Sequence, residues 1–249
     1  MRSSAFCSIA TQTPSTGRHL DPMDLVTKNL VSSFKDEESL PSGTDDATVF
    51  EHFANFCVVS QDYGEEFDVD DVHTGGGDDL GMDGLAIIVN GAMVSDPTEV
   101  EDLAATNKYL EAEFVFCQAK SGGNFSGSEI SNLFFGVKDL FSETPALPRN
   151  DTITDKAAVI KAIYDRSALF KRGNPRVRMY YVTTGKWQSD PKLDARIENE
   201  KEALLELNNG VIAAVSCRSD DHALLGGGGH FAGGLPAIAS HNTKELDFF

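Results

Sequence analysis

Positive charge is what this sequence lacks most conspicuously. Between Asp36 and Asn107 there is no Lys or Arg, against 19 Asp or Glu. Cysteine is sparse too. The four residues, Cys7, Cys57, Cys117 and Cys217, are far apart and never form a C-x-x-C pair, which excludes a zinc ribbon. Lying within apolar runs, they read as buried thiols of a reducing compartment. No apolar run of about 18 residues occurs, so no membrane-spanning helix is expected. The first residues lack a continuous apolar h-region, which argues against secretion and for a cytoplasmic protein. Several nucleotide and hydrolase motifs are absent as well. Thr183-Thr184-Gly185-Lys186 lacks the preceding glycine of a P-loop, and Gly75-Gly76-Gly77 does not open a helix after a strand. Asp68-Val69-Asp70 lacks the glycine and glutamate of a calcium loop. No G-x-S-x-G elbow is present.

What is present describes a globular chain. Of 249 residues, 41% are hydrophobic and 24% charged, enough to build one sizeable core. The net charge is -18, which taken as a sum opposes nucleic-acid binding. The charge is split along the chain, however. From Lys120 to Lys186 there are 11 basic and 6 acidic residues. Lys138, Arg172 and Arg176 are the candidates for phosphate contact in that stretch.

Residues 1–22 read as a disordered leader, 23–217 as one α/β domain, and 218–249 as a flexible glycine-rich tail or truncated continuation. Within the domain, apolar spacing predicts a helix over 47–60 with Phe50, Phe53, Ala54 and Cys57 as its buried stripe and Asp45 or Asp46 as its cap. His52 is placed on that helix's surface and His73 in a loop. An acidic, glycine-rich loop over 61–81 leads into Gly81-Met82-Asp83-Gly84. Leu85–Val89 reads as a buried strand ended by the turn pair Asn90-Gly91. A polar stretch over 95–108 is a loop or short helix. Phe114–Lys120 is the next strand, with Phe114, Phe116, Gln118 and Lys120 on one face. Helices are expected over about 126–141, from the capping-box spacing of Ser126 and Glu129, over 153–171 and over 190–207. Strands are expected over 177–184 and 211–216. Helices alternating with strands make an α/β fold with crossovers.

The chemistry concentrates at Asp83, Gln118 and Lys120. Two neighbouring strands would bring them together. A carboxylate and a backbone carbonyl, that of Ala119, are ligands suited to a hard divalent cation. A lysine at the inner end of an apolar strand needs a charged partner. Beside a cation-bound water it can orient that water and neutralise charge building on a phosphate. By spacing alone, a lysine snorkelling to solvent is the competing account.

Gly81-Met82-Asp83-Gly84, an apolar strand and then Gln118-Ala119-Lys120 resemble the motif of the PD-(D/E)XK nuclease superfamily, in the Mrr-type variant where Gln replaces the second acid. Phe50-Glu51-x-Phe53, Gly75-Gly76-Gly77-Asp78 and Val137-Lys138-Asp139-Leu140-Phe141, in that order with the others, resemble the N-terminal region of abortive phage infection proteins, the AIPR family. The likeness covers about residues 47–142. It implies a restriction endonuclease-like core sheet flanked by helices and Mg²⁺- or Mn²⁺-dependent phosphodiester hydrolysis in phage defence, with DNA as the expected substrate. Asp83, Glu51 and Ala119 would hold the metal, Lys120 would position the water, and Gln118 would occupy the second acidic position. Asp78 and Asp79 read as loop residues with a supporting role in reserve. A homodimer and a further C-terminal region are the protein partners this reading implies. Two other readings stay open: a catalytically silent nuclease-like module that binds nucleic acid or a defence protein, and an acidic protein partner that touches no nucleic acid.

Overall fold

The computed structural model describes residues 23–185, 190–207, 212, 214–220 and 243–246. The proposed leader, Trp187 and most of the segment read as a tail lie outside the described residues.

The chain starts with two helices. α1 (Leu25–Glu37) is capped by Asp24, and α2 (Asp46–Asp62) by Asp45, whose carboxylate accepts the N–H groups of Ala47 and Thr48. Such a cap contributes about 1 kcal/mol. After the acidic loop come β1 (Gly84–Val89), the short β2 (Ala92–Met93) and α3 (Pro97–Asn107). The β1–β2 turn uses Asn90 and Gly91 at φ 53° and 82°, the left-handed pair that a two-residue hairpin demands. The stretch left open as loop or helix is α3, closed at its start by a full capping box between Asp96 and Glu99.

β3 (Ala112–Lys120) follows, then α4 (Gly127–Leu140), α5 (Asp151–Tyr164), β4 (Arg176–Thr183) and α6 (Pro191–Leu205). β5 (Ala214–Asp220) and β6 (Thr243–Leu246) complete the described elements. The helix predicted over 153–171 is shorter than expected. It stops at Tyr164, and a 3₁₀ turn over Ser167–Leu169 replaces its last part. The strand expected at 211–216 begins at Ala214. Thr243–Leu246, within the segment read as a tail, pairs antiparallel with β5 and reaches β4.

The sheet order is β2-β1-β3-β4-β5-β6. β1 and β3 are antiparallel, whereas β3, β4 and β5 run parallel. Parallel neighbours need crossovers, which α4 with α5, and then α6, supply. Helices flank the sheet on both faces. Leu85, Ile87, Phe114, Phe116, Val177 and Met179 pack with the stripe Ile130, Leu133, Phe134 and Val137 of α4. Ala86, Ile88, Val115, Cys117 and Ala119 face Phe50, Ala54, Val58 and Val59 of α2. β1 is buried along its whole length, so its continuous apolar run reflects helices on both sides.

One expectation about α2 is corrected. His52 is buried, 5% exposed, and not on the surface. The helix buries Val49, His52, Asn55 and Val59 besides the predicted stripe, because the 3₁₀ turn Val69–Asp71 lies against it and adds Val69 and Val72 to the packing. Phe53 and Cys57 are only partly buried.

Candidate functional site

Asp83 immediately precedes β1, at the end where β1 meets the C-terminal end of β3. Register pairs Gly84 with Cys117, so Asp83 lies beside Gln118. The Asp83 N–H donates to the Cys117 carbonyl at 2.8 Å, and its own carbonyl accepts from Thr74 N at 3.2 Å and Asn55 Nδ2 at 2.9 Å. The carboxylate turns inward. Its Oδ2 accepts the Ala119 N–H at 2.7 Å, with Lys120 Nζ at 3.4 Å. Asp83 and Lys120 thus meet, and Ala119 touches the carboxylate through its N–H, where the sequence reading used its carbonyl.

Burial dominates the electrostatics. The Asp83 side chain is 8% exposed, and that of Lys120 35%. Desolvation raises the Asp83 carboxyl from 3.8 to about 6, against the Ala119 N–H and the Lys120 charge; the nearby Glu51 charge pushes the same way as burial. Asp79 feels the same group of charges. Burial raises it, the Gly81 N–H and Lys120 oppose, and Glu51 adds to the rise. Asp79, read from sequence as a loop residue, therefore belongs to the electrostatic neighbourhood of Lys120. Two carboxylates share the influence of one lysine, and the Glu51 charge opposes it at both.

Gln118 supplies a neutral oxygen. The residue is 5% exposed, and its Oε1 has no hydrogen-bond partner. A buried acceptor without a donor costs about 1–3 kcal/mol. A cation satisfies such an oxygen as a hydrogen bond would. Oδ1 of Asp83 likewise receives no hydrogen bond among the described residues. The donor set suits a hard cation in type, an anionic carboxylate with an amide oxygen beside it. Among the described residues, though, no three Asp, Glu, His or Cys side chains converge as a metal cluster. The residues fit one ion held by mixed carboxylate and amide or carbonyl oxygens better than a pair of ions.

Glu51, from α2, bonds His73 rather than Asp83, Oε2 to Nε2 at 3.1 Å. His73 stacks on His52 with ring centroids 4.2 Å apart. Desolvation, then the neighbouring His73, lowers the His52 imidazole. Gly75 lets the loop pass this group, since a Cβ there would lie 2.5 Å from His73 Nε2.

The acidic loop is held in place. Asn150 caps α5 through Oδ1, while its Nδ2 donates to the carbonyls of Thr74 and Gly77 at 3.0 and 3.3 Å. Its N–H donates to Asp78 O at 3.0 Å. Gly136 on α4 admits the Leu80 carbonyl, which a Cβ would meet at 1.8 Å. Asp78 and Leu80 both sit at left-handed φ near 60°, a conformation that costs non-glycine residues energy and needs such anchoring.

The phosphate-contact candidates are placed differently. Lys138 pairs with Glu200 at 2.6 Å. Arg172 pairs with Glu111 at 2.8 Å and lies over the Tyr109 ring. Arg176 is 3.4 Å from Glu113. None of the three gathers around Asp83; Arg172 and Arg176 pair with residues at the opposite end of β3. Glu129 completes only part of the predicted capping box: Ser126 Oγ accepts its N–H, while its carboxylate takes the Tyr181 hydroxyl at 2.6 Å. Asp139, within the motif around Val137, caps the turn after α4 by accepting from Ala146 and Leu147.

Sequence reasoning missed Asn55 and Thr74. For Asn55 a signal existed: it is a polar residue set among the apolar positions of α2, one turn after Glu51. No family model matches this chain, and no curated protein or solved structure matches it. Among the described residues, no helix is long and apolar enough to cross a membrane.

Proposed function

We propose that this chain is a metal-dependent nuclease with a restriction endonuclease-like core, acting on DNA in phage defence. The observation that carries it is the Asp83 carboxylate, fixed on the Ala119 N–H beside Lys120, on the residue that the sheet register sets next to Gln118 with its unpartnered oxygen. The order that positions these residues, α2, the hairpin β1–β2, α3, β3, α4 with α5, and β4, supports the same reading.

A bound Mg²⁺ or Mn²⁺ would supply Lewis-acid stabilisation of the phosphate and a more acidic water. Asp83 and the oxygens of Gln118 and Ala119 would hold it. The Lys120 ammonium, anchored at one side by Asp83 and open to solvent at the other, would donate to the attacking water or a phosphate oxygen. Asp83 keeps that ammonium from swinging away. Glu51, at one remove through His73, adds negative charge near the cation.

One arrangement favours a second reading, a silent module that binds without cutting. Gln118 brings no charge, and Lys138, Arg172 and Arg176 are already paired within the molecule.

Supercoiled plasmid and single-stranded DNA incubated with Mg²⁺ or Mn²⁺, beside EDTA and the Lys120→Ala protein, separate the two. Cutting that needs metal and disappears in the folded variant supports the nuclease. Retention of DNA without cutting by either protein overturns it in favour of the silent module.

A further inference from the structure

Asn55 is fully buried, 0% exposed, on a helix that also buries Phe50, His52, Ala54, Val58 and Val59. An amide there is costly unless its bonds do something an apolar residue could not. Its Oδ1 has no partner. Its Nδ2 makes one bond, to the Asp83 carbonyl at 2.9 Å.

The packing around that bond is tight. A Cβ at position 84 would lie 2.1 Å from Asn55 Oδ1, so Gly84 is the residue that lets the amide reach the strand. On the other side Thr74 donates its N–H to the same carbonyl at 3.2 Å, and its hydroxyl to Met82 O at 2.7 Å. The Asp83 N–H is tied to Cys117. The peptide units on both sides of Asp83 are therefore held by α2, by the loop and by β3. With the backbone fixed, the carboxylate is held with Oδ2 on the Ala119 N–H and Oδ1 left without a hydrogen bond.

We propose that Asn55 is a positioning residue: through the Asp83 carbonyl, in space opened by Gly84, it aims the Asp83 carboxylate at its cation. The cation part rests on the metal-dependent reading above. The aiming part does not, because the Ala119 N–H reports where the carboxylate is.

The test uses the 249-residue chain and three variants: Asn55→Ala, Gly84→Ala, and both together. Amide hydrogen exchange is followed at Ala119 and at Phe114 and Phe116 of the same strand. Mn²⁺ affinity is measured by calorimetry. Asn55→Ala is expected to speed exchange at Ala119 about tenfold relative to Phe114 and Phe116, and to weaken Mn²⁺ binding by about 10–100-fold, as losing a group that orients a ligand does. Gly84→Ala keeps Asn55 but displaces it, and should give the same pair of changes. In the double variant the shortened side chain at position 55 leaves room for the new methyl at position 84, so the effects should not add. Equal acceleration along the whole strand, with Mn²⁺ affinity intact, would make Asn55 a packing residue and overturn the proposal. So would additive effects in the double variant. If the parent protein binds no Mn²⁺, the metal reading fails, while selective exchange at Ala119 still upholds Asn55 as the residue that aims Asp83.

Discussion

The two ends of β3 treat charge in opposite ways. At the N-terminal end, Glu111 and Glu113 meet Arg172, Arg176 and Arg178. Arg178 also pairs with Asp62 at 2.8 Å, and Asp62 takes the Tyr180 hydroxyl. That end is closed and compensated. At the C-terminal end, Asp83 and Asp79 share the field of Lys120, the Glu51 charge opposes it at both, and the Gln118 oxygen lacks any partner. That end is under-compensated. The difference teaches where a cation or a phosphate has something to gain. A bound cation would relieve the C-terminal end and find nothing unsatisfied at the other.

Replacing Asp83 with Asn breaks this contrast most severely. It removes the charge that holds a cation while keeping an acceptor for the Ala119 N–H. Cleavage should fall at least about a thousand-fold, measured with plasmid DNA and Mn²⁺. Stability should move the other way, because a buried carboxylate is replaced by a neutral amide. A variant that cuts like the parent would remove Asp83 from the site.

Stability against pH then sharpens the comparison. The Asp83 carboxyl is raised in the folded state, from 3.8 to about 6, so the folded protein binds the extra proton between those values. Its contribution therefore favours folding at low pH and is lost as pH rises through about 6. Denaturant titrations of metal-free protein should show this component falling by on the order of 3 kcal/mol across that window. Asp83→Asn should remove this component and leave that of Asp79, which burial raises in the same direction. The affinity for Mn²⁺ should rise about tenfold per pH unit below 6 and level off above, since the cation takes the ionised form.

The N-terminal end is tested by Arg178→Ala. The variant takes from Asp62 and Glu113, whose side chains are 6% and 14% exposed, the guanidinium they share, while Glu113 keeps Arg176 and Asp62 the Tyr180 hydroxyl. Breaking a buried pair costs about 3–5 kcal/mol when nothing else compensates; with these partners left, a loss near the lower end is expected, roughly 10 °C in melting temperature for a domain of this size. Cleavage per folded molecule should not change. Loss of cutting in molecules that remain folded would connect the two ends and spoil the contrast.

How much of this was legible follows from the physics of each signal. β1 and the stripe of α4 could be read because apolar period depends on local sequence alone. Asp83 with Lys120 could be read because local pattern puts each at the end of an apolar strand, although the β1–β3 pairing that joins them spans β2 and α3. Three things could not. The pairing of Arg172 and Arg176 with Glu111 and Glu113 depends on β3 and β4 being neighbours, some 60 residues apart in the chain. The burial of His52 depends on a loop folding back over α2. The place of Asn55 depends on Gly84, on a strand distant in the chain, making room for its amide. Short-range chemistry was in the sequence; compensation between distant charges was not.

The smallest effect separates a structural arginine from a ligand-binding one. Arg172 is 66% exposed, and its pair with Glu111 is solvated. Arg172→Ala should therefore cost less than about 1 kcal/mol. Sequence alone put Arg172 among the phosphate contacts, in which case its loss would lower the salt dependence of DNA binding by about one unit in log–log slope. The closed end of β3 argues for the contrary result: Arg172 is engaged at an end where charge is already balanced, and the slope should be unchanged. Lys120→Ala, at the open end, should lower it by about one. Binding isotherms for the two variants in EDTA, over a range of salt, compare the ends directly. A slope lowered by Arg172→Ala and not by Lys120→Ala would move the nucleic-acid contact to the opposite end of the strand.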